Sequence, residues 1–364
     1  MIPVFAPWLS ENARRYVLDC VDSGWISSLG QYVGRFERDF ATFCEARHAV
    51  ATSNGTTALH LCLVTLGIGP GDEVLVPDLT FVATANVVRY TGATPVLVDA
   101  DSRTWGMDTS DARRKLTART RAIVPVHLYG HPVDVDPLLA LAAEHGLDVV
   151  EDAAEAHGAR YRGRRVGALG RMGAFSFYGN KIITTGEGGM VVTNDPVLAE
   201  RAAFLRDHAM DPHRRYYHPE IGFNYRMTNI QAAIGCAQLE QAEAILSRRK
   251  SIATAYEVGL AGIAGLTRPP AEPWAENVYW MYSVLVEPAF GVDREAVRAG
   301  LRARGVDSRP FFVPLHELPP YRLDAPFPVA TVLGQKGINL PSGTGLRQDE
   351  IAAVCDALRE LSRR

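Results

Sequence analysis

The sequence predicts an α/β fold: a mainly parallel, doubly wound, seven-stranded sheet with a smaller C-terminal α/β domain behind it. Three observations carry this expectation. Before residue 195, short β-prone runs alternate with helical ones, the pattern of parallel strands joined by crossover helices. A proline-rich stretch, Arg268-Pro-Pro-Ala-Glu-Pro273, breaks the pattern, and a further strand, Tyr282-Ser-Val-Leu-Val286, and more helices follow it. A chain of 364 residues that is 47% hydrophobic can bury one large core and a smaller one. The division expected is 1–245 for the large domain and 246–364 for the small one.

Taken in order, the strands are expected at 48–54, 73–77, 95–100, 122–128, 148–152, 173–178 and 189–193. Helical runs at 56–66, 81–91, 109–117, 135–145 and 195–208 separate or follow them. Between 178 and 189 there is no room for a crossover helix. One antiparallel neighbour, or a strand inserted elsewhere in the sheet, is therefore expected there. Residues 231–260 read as one long helix, with Ile234, Ala237, Leu239, Ala242 and Ile245 at apolar positions. The basic trio Arg248-Arg249-Lys250 on that helix reads as a solvated helix end.

Composition narrows the function classes. The net charge of −3 comes without a basic stripe, which argues against nucleic-acid binding. Five scattered cysteines (Cys20, Cys44, Cys62, Cys236 and Cys355) suit reduced thiols in a cytoplasmic protein, with neither a disulfide framework nor a zinc pattern. Met1-Ile-Pro-Val-Phe-Ala-Pro-Trp8 lacks the basic and long apolar parts of a signal peptide, and no apolar run reaches membrane-spanning length.

The chemistry concentrates on Lys181, in Phe175-Ser-Phe-Tyr-Gly-Asn-Lys-Ile-Ile-Thr-Thr-Gly-Glu-Gly-Gly-Met190. A lysine between an aromatic strand and a glycine cluster is a candidate desolvated amine. Desolvation lowers its pKa and makes it a nucleophile for Schiff-base formation. Upstream, Ser53-Asn-Gly-Thr-Thr57 joins a strand to a helix, where free N–H groups and the helix dipole face an anion. Ser53, Gly55, Thr56 and Thr57 are small enough to let a phosphate approach. Glu151 and Asp152 end the strand at 148–152, and alternation sends them to opposite faces, so one of the two can enter a crevice at the carboxyl edge. A carboxylate there can hold a pyridine nitrogen protonated. A metal site with His157 would want further convergent ligands, and none stands at a usual spacing. Phe81, just past the strand at 73–77, can stack on a flat ring.

Phosphate cradle, stacking aromatic, carboxylate and lysine follow one another in the order of fold-type I pyridoxal phosphate (PLP) transferases. The chain resembles, over nearly its whole length, the PLP-dependent nucleotide-sugar aminotransferases of the DegT/StrS type. The resemblance rests on Ser53-Asn-Gly-Thr56, Glu151-Asp-Ala-Ala-Glu-Ala-His-Gly158, Phe175 to Met190, and Gly222-Phe-Asn-Tyr-Arg-Met-Thr-Asn-Ile-Gln-Ala-Ala233. Finer similarity, in Asp22-Ser-Gly-Trp-Ile-Ser-Ser28, Val126-His-Leu-Tyr-Gly-His-Pro132 and Ser308-Arg-Pro-Phe-Phe-Val-Pro-Leu-His316, points to members acting on GDP-linked sugars. Related sugar 3-dehydratases carry a histidine where this chain has Lys181.

The resemblance implies a cofactor, PLP, carried by Lys181 and held at its ring nitrogen by Asp152. It implies cofactor contacts from Gly55, Thr56, Phe81, Glu155 and Ser176, and from Asn224 of a second copy, so that a homodimer shares its active sites. It implies substrate contacts from Trp25, Ser27 and His316, and no metal. The expected reaction moves an amino group from L-glutamate to a nucleotide-linked 4-keto-6-deoxy sugar, with GDP-4-keto-6-deoxymannose leading. Amination at C3, of a UDP- or dTDP-linked sugar, or of a cyclitol is the alternative. A non-catalytic sensor of the same fold is a third reading, which the intact lysine and carboxylate disfavour.

Overall fold

The computed structural model describes residues 1–362. Two helices, α1 (Glu11–Ser23) and α2 (Gln31–Phe43), precede a run of alternating elements. These are β1 (His48–Thr52), α3 (Gly55–Thr65), β2 (Glu73–Pro77), α4 (Ala83–Tyr90), β3 (Thr94–Val98) and α5 (Thr109–Arg114). They continue with β4 (Thr120–Ile123), α6 (Val135–His145) and β5 (Asp148–Asp152). A short hairpin, β6 (Arg160–Tyr161) and β7 (Arg164–Arg165), leads to β8 (Met172–Ser176), β9 (Gly189–Thr193) and α7 (Pro196–Arg206). Then come α8 (Asn229–Leu239), α9 (Ala242–Gly259), β10 (Leu266–Thr267), β11 (Ala275–Glu276), β12 (Tyr282–Val286) and α10 (Arg294–Ala303). The chain closes with β13 (Arg309–Pro310), α11 (Pro328–Lys336), β14 (Gly337–Leu340) and α12 (Gln348–Leu361).

All seven expected strands form one sheet, in the order β1-β9-β8-β5-β4-β2-β3. Strand β9 runs antiparallel to both neighbours, inserted between β1 and β8, and every other pair is parallel. The parallel strands therefore present their carboxyl ends along one edge. The turns after β1, β2, β5 and β8 converge there, as ligand-binding turns do in open α/β sheets. A second sheet, β10-β12-β14-β13, belongs to the C-terminal part, and β11 joins the β6–β7 hairpin.

Two apolar cores meet along α9. Ala242 and Ile245 pack into the core of the large sheet, whereas Ile252, Ala253 and Tyr256 pack into the core around β12 and β14. Phe311, Leu315, Phe327, Ala330 and Leu333, far along the chain, return to the first core.

Two sequence expectations are corrected here. The helix expected over 231–260 is two helices, α8 and α9, parted at Glu240 and Gln241. Gln241 leaves helical geometry (φ −108, ψ 7). At the same point the Glu240 carboxylate is held by Asn12 Nδ2 at 2.6 Å, Tyr16 OH at 2.7 Å and Arg35 Nη2 at 2.7 Å. Apolar periodicity continues across the break, so it could not reveal the change of axis. Second, Arg249 is not solvated: it lies mid-helix and is only 1% exposed.

All five cysteines are buried and unbridged. Among the described residues no helix is long and apolar enough to cross a membrane, and no group of His, Cys, Asp and Glu side chains is placed to hold a metal.

The sheet leaves no room at Gly173 in β8, where an added Cβ would collide with the carbonyl of Gly167. Gly173→Ala should cost roughly 1–3 kcal/mol, as overpacked cores do. Gly69→Ala, which meets only the Thr91 carbonyl at 3.9 Å, should stay near neutral. Equilibrium urea unfolding of the two variants measures the difference, and equal midpoints would contradict the packing described.

Candidate active site

Strand β8 ends at Ser176, and the loop that follows folds Lys181 back over the sheet edge through a bond from Lys181 N–H to the Tyr178 carbonyl at 2.8 Å. The lysine side chain is 12% exposed. Its Nζ lies 3.6 Å from Glu155 Oε1 and 3.8 Å from the centre of the Trp280 ring. Burial lowers the amine's pKa, although Glu155 and Asp152 pull it back toward the charged form. Burial likewise pushes the Glu155 carboxyl up to about 7, against the attraction of Lys181 and a 2.8 Å bond from Tyr129 N–H. Amine and carboxyl are thus brought toward one another in proton affinity.

The adjacent acids part as strand alternation requires. Glu151 points away from the site and accepts bonds from the N–H groups of Gly167, Leu169 and Gly170, each at 2.7 Å, with His127 Nε2 at 3.0 Å. Burial alone would raise its pKa, but these bonds prevail and hold it below the ordinary range. Asp152 faces the site, taking a 2.9 Å bond from Thr84 Oγ1 and a 3.2 Å bond from Ala154 N–H. Burial raises its pKa, and those donors together with Lys181 oppose the rise.

Asn54 starts α3 with a reciprocal cap: its side chain accepts from Thr57 N–H at 2.9 Å, and its own N–H donates to Thr57 Oγ1 at 3.1 Å. The cap leaves the first turn of α3 facing the cavity. Gly55 abuts Ser176, where an added Cβ would come within 2.5 Å of the serine Cβ. Only glycine fits there, and the contact sets Ser176 beside the first turn of α3 at the cavity.

One cavity of about 750 Å³ is lined by Gly55, Thr56, Phe81, Asp152, Glu155, Ser176 and Lys181 together. The other expected residues lie elsewhere. Asn224 is exposed outside the cavity, accepting a bond from Arg226 Nε at 3.2 Å. Trp25 and Ser27 are also exposed outside it, and their carbonyls accept from Asn229 at 2.8 and 2.6 Å. His316 also lies outside the cavity lining. Its Nδ1 sits 2.6 Å from Asp78 Oδ2, its N–H donates to Oδ1 at 2.8 Å, and its ring stacks on Phe327. Asp78, the partner in both bonds, is fully buried.

Sequence reasoning missed Trp280, Tyr129, Phe312, Asn339 and Arg309, which also line the cavity. The aromatic run Tyr279-Trp-Met-Tyr282 was a visible signal for Trp280. Arg309 lies in the Ser308–His316 stretch that carries the finer similarity, where no local feature singles it out.

The DegT/DnrJ/EryC1/StrS aminotransferase family profile matches residues 7–359. GDP-perosamine synthase of Caulobacter vibrioides is 51% identical over 99% of this chain and 98% of its own length. The synthase of the same name from Escherichia coli O157:H7 is 46% identical, with the same two coverages. Among solved structures, Streptomyces venezuelae DesV in complex with a ketimine intermediate superposes with a TM-score of 0.91 at 41% identity, covering 97% of this chain and 94% of that one. The chain belongs to the DegT/DnrJ/EryC1/StrS aminotransferase family.

Proposed function

We propose that the chain moves an amino group from L-glutamate to C4 of GDP-4-keto-6-deoxymannose, forming GDP-perosamine, with PLP held around Lys181. The observation that carries this reading is the convergence of four parts on one cavity: a buried amine, a buried carboxylate, a glycine-opened helix start and a rim aromatic. The named relatives support the sugar.

The residues present fit the cofactor. The first turn of α3, with Gly55 and Thr56, and Ser176 would take the phosphate; Asp152 would meet the ring nitrogen; Phe81 would stack on the ring. When bound, PLP supplies an aldehyde for the lysine and an electron-withdrawing ring that stabilises negative charge at the donor's α-carbon. With the cofactor and donor bound, Lys181 Nζ would be the base that takes the donor's α-proton and delivers it to the cofactor's former aldehyde carbon. Glu155, 3.6 Å away, can hold a proton for that amine. Asp152, oriented by its bonds from Thr84 Oγ1 and Ala154 N–H, would face the ring nitrogen's proton. Trp280 shields the amine from water. Arg309 is exposed on the cavity wall, with no carboxylate within salt-bridge reach among the described residues, and suits the donor's carboxylate or the sugar's diphosphate.

Borohydride reduction and peptide mapping should find pyridoxyl-lysine at 181, and Asp152→Asn should lose about a hundredfold or more in turnover while staying folded. With glutamate and a panel of GDP-, UDP- and dTDP-linked 4-keto sugars, mass spectrometry should show the GDP-mannose derivative aminated fastest. A label on another lysine, or preference for a dTDP sugar, would replace this reading.

Glu155 also predicts a pH dependence. A carboxyl whose pKa is raised on folding binds its proton more tightly in the folded state, so stability falls as pH rises from the ordinary carboxylate range through about 7. Glu155→Gln in cofactor-free protein should therefore gain on the wild type between pH 5 and 8, by at most about 3 kcal/mol. Urea titrations at the two pH values measure it, and a constant difference would mean that Glu155 titrates normally.

The working unit we propose is a dimer in which Asn224 serves the partner's cofactor phosphate. Its exposure outside its own chain's cavity supports this. If Lys181→Ala and Asn224→Ala are each inactive, their heterodimers should recover activity at about half of the sites, since one site inherits both defects and the other neither. Verified heterodimers without activity would place Asn224 outside the site.

A further inference from the structure

Arg249, in the stretch of α9 that passes from one core to the other, is the largest side chain sealed within the protein. Among the described residues no carboxylate pairs with it, and its Nε and Nη2 have no hydrogen-bond partner. Burial pushes its pKa down to about 10, so it remains a cation at neutral pH. Such a group is expensive to bury, and an apolar residue of similar volume would pack more favourably unless the charge had a task. Its contacts name the task. Nη1 alone donates to three backbone carbonyls, those of Tyr279 at 3.2 Å, Trp280 at 3.0 Å and Ser342 at 3.2 Å.

Two of those carbonyls belong to a tightly specified turn. Tyr279 has left-handed backbone geometry (φ 49), unusual for a bulky residue. Its N–H donates to Asn277 Oδ1 at 2.7 Å, and Val278 N–H to the Gly130 carbonyl at 3.2 Å. Gly130 is pressed so close that a Cβ there would come within 2.7 Å of the Trp280 nitrogen. The Trp280 ring donates from Nε1 to the Asn180 carbonyl at 2.7 Å, and its face covers Lys181 Nζ at 3.8 Å. A single chain of contacts thus runs from the guanidinium through the 279–280 backbone to the reactive amine.

We propose that Arg249 is a positioning residue, which clamps the 279–280 turn so that the Trp280 ring stays over the Lys181 amine and keeps water from it. The proposal rests on the reading of Lys181 as the reactive amine. It differs from simple bracing of two domains, because it requires the effect of Arg249 on Lys181 to pass through Trp280.

The test reads Lys181 directly in the full chain freed of cofactor. Lysines are acetylated with isotopically labelled acetic anhydride across a pH series, and peptide mass spectrometry follows Lys181 against exposed Lys250 as reference. Glu155 and Asp152 face the amine and stay unchanged in every variant. Losing the ring removes a cation–π attraction but admits water. Burial is the larger cause at Lys181, so the midpoint should rise, by about one pH unit. Arg249→Met and Trp280→Leu should each raise it, and the double variant should rise no further than the larger single change. An unchanged midpoint in folded Arg249→Met, or additive shifts in the double variant, would each overturn the proposal. Should Arg249→Met not fold, Arg249→Gln is read by the same criteria. The borohydride label is a separate measurement: a label elsewhere would remove Lys181 from the chemistry without altering this titration.

Discussion

Taking the Lys181 amine out of water is the step on which the site depends, and the rest of the structure makes it tolerable. The amine is nucleophilic only while part of its population is uncharged, and burial supplies that. An isolated buried ammonium would be costly, so Glu155 stands 3.6 Å away and Trp280 offers its π face at 3.8 Å. Glu155 is in turn strained toward neutrality by the same burial and steadied by Tyr129 N–H. Tyr129 itself has left-handed geometry (φ 53), and its hydroxyl accepts from Phe312 N–H at 3.0 Å, so the first residue of the series is tied to a segment late in the chain.

Sheet topology makes the gathering possible. With β9 inserted antiparallel between β1 and β8, the strand that carries Ser176 stays parallel to β1, and both end at the same edge as β5. The Asn54 cap, Asp152 and the lysine loop are far apart in sequence but adjacent at that edge.

The C-terminal part contributes walls to the same cavity. The Asp78–His316 pair fastens the 311–316 segment to the end of β2, which brings Phe312 to within 5.7 Å of Phe81, centre to centre. Arg249 does the equivalent work for the 279–280 turn. Both devices use a buried charged or polar side chain to hold backbone, and in both the directional hydrogen bonds do what apolar contact cannot, fixing a segment in one orientation.

Local pattern determined a good deal about this protein. Strand alternation with helices was enough for seven strands and their mainly parallel order, because hydrophobic period and β propensity act residue by residue. The Glu151–Asp152 pair was legible as one inward and one outward acid for the same reason; the resemblance selected Asp152, and in the structure the His127 and Gly167–Gly170 donors claim Glu151. Lys181 was readable because a lysine is unusual between a buried strand and a glycine cluster, whereas Ser176 came only with the resemblance and Gly55 counted only in company with the other parts. What only tertiary structure decided was which distant groups share a volume. It broke the 231–260 helix at Glu240, where three residues from the N-terminal helices meet one carboxylate. It gave His316 to Asp78, brought Trp280 over the amine, and buried Arg249, whose sequence neighbours Arg248 and Lys250 suggested solvent. Each of these turns on a hydrogen bond or a charge whose partner lies tens to hundreds of residues away, and no local periodicity encodes such a pairing.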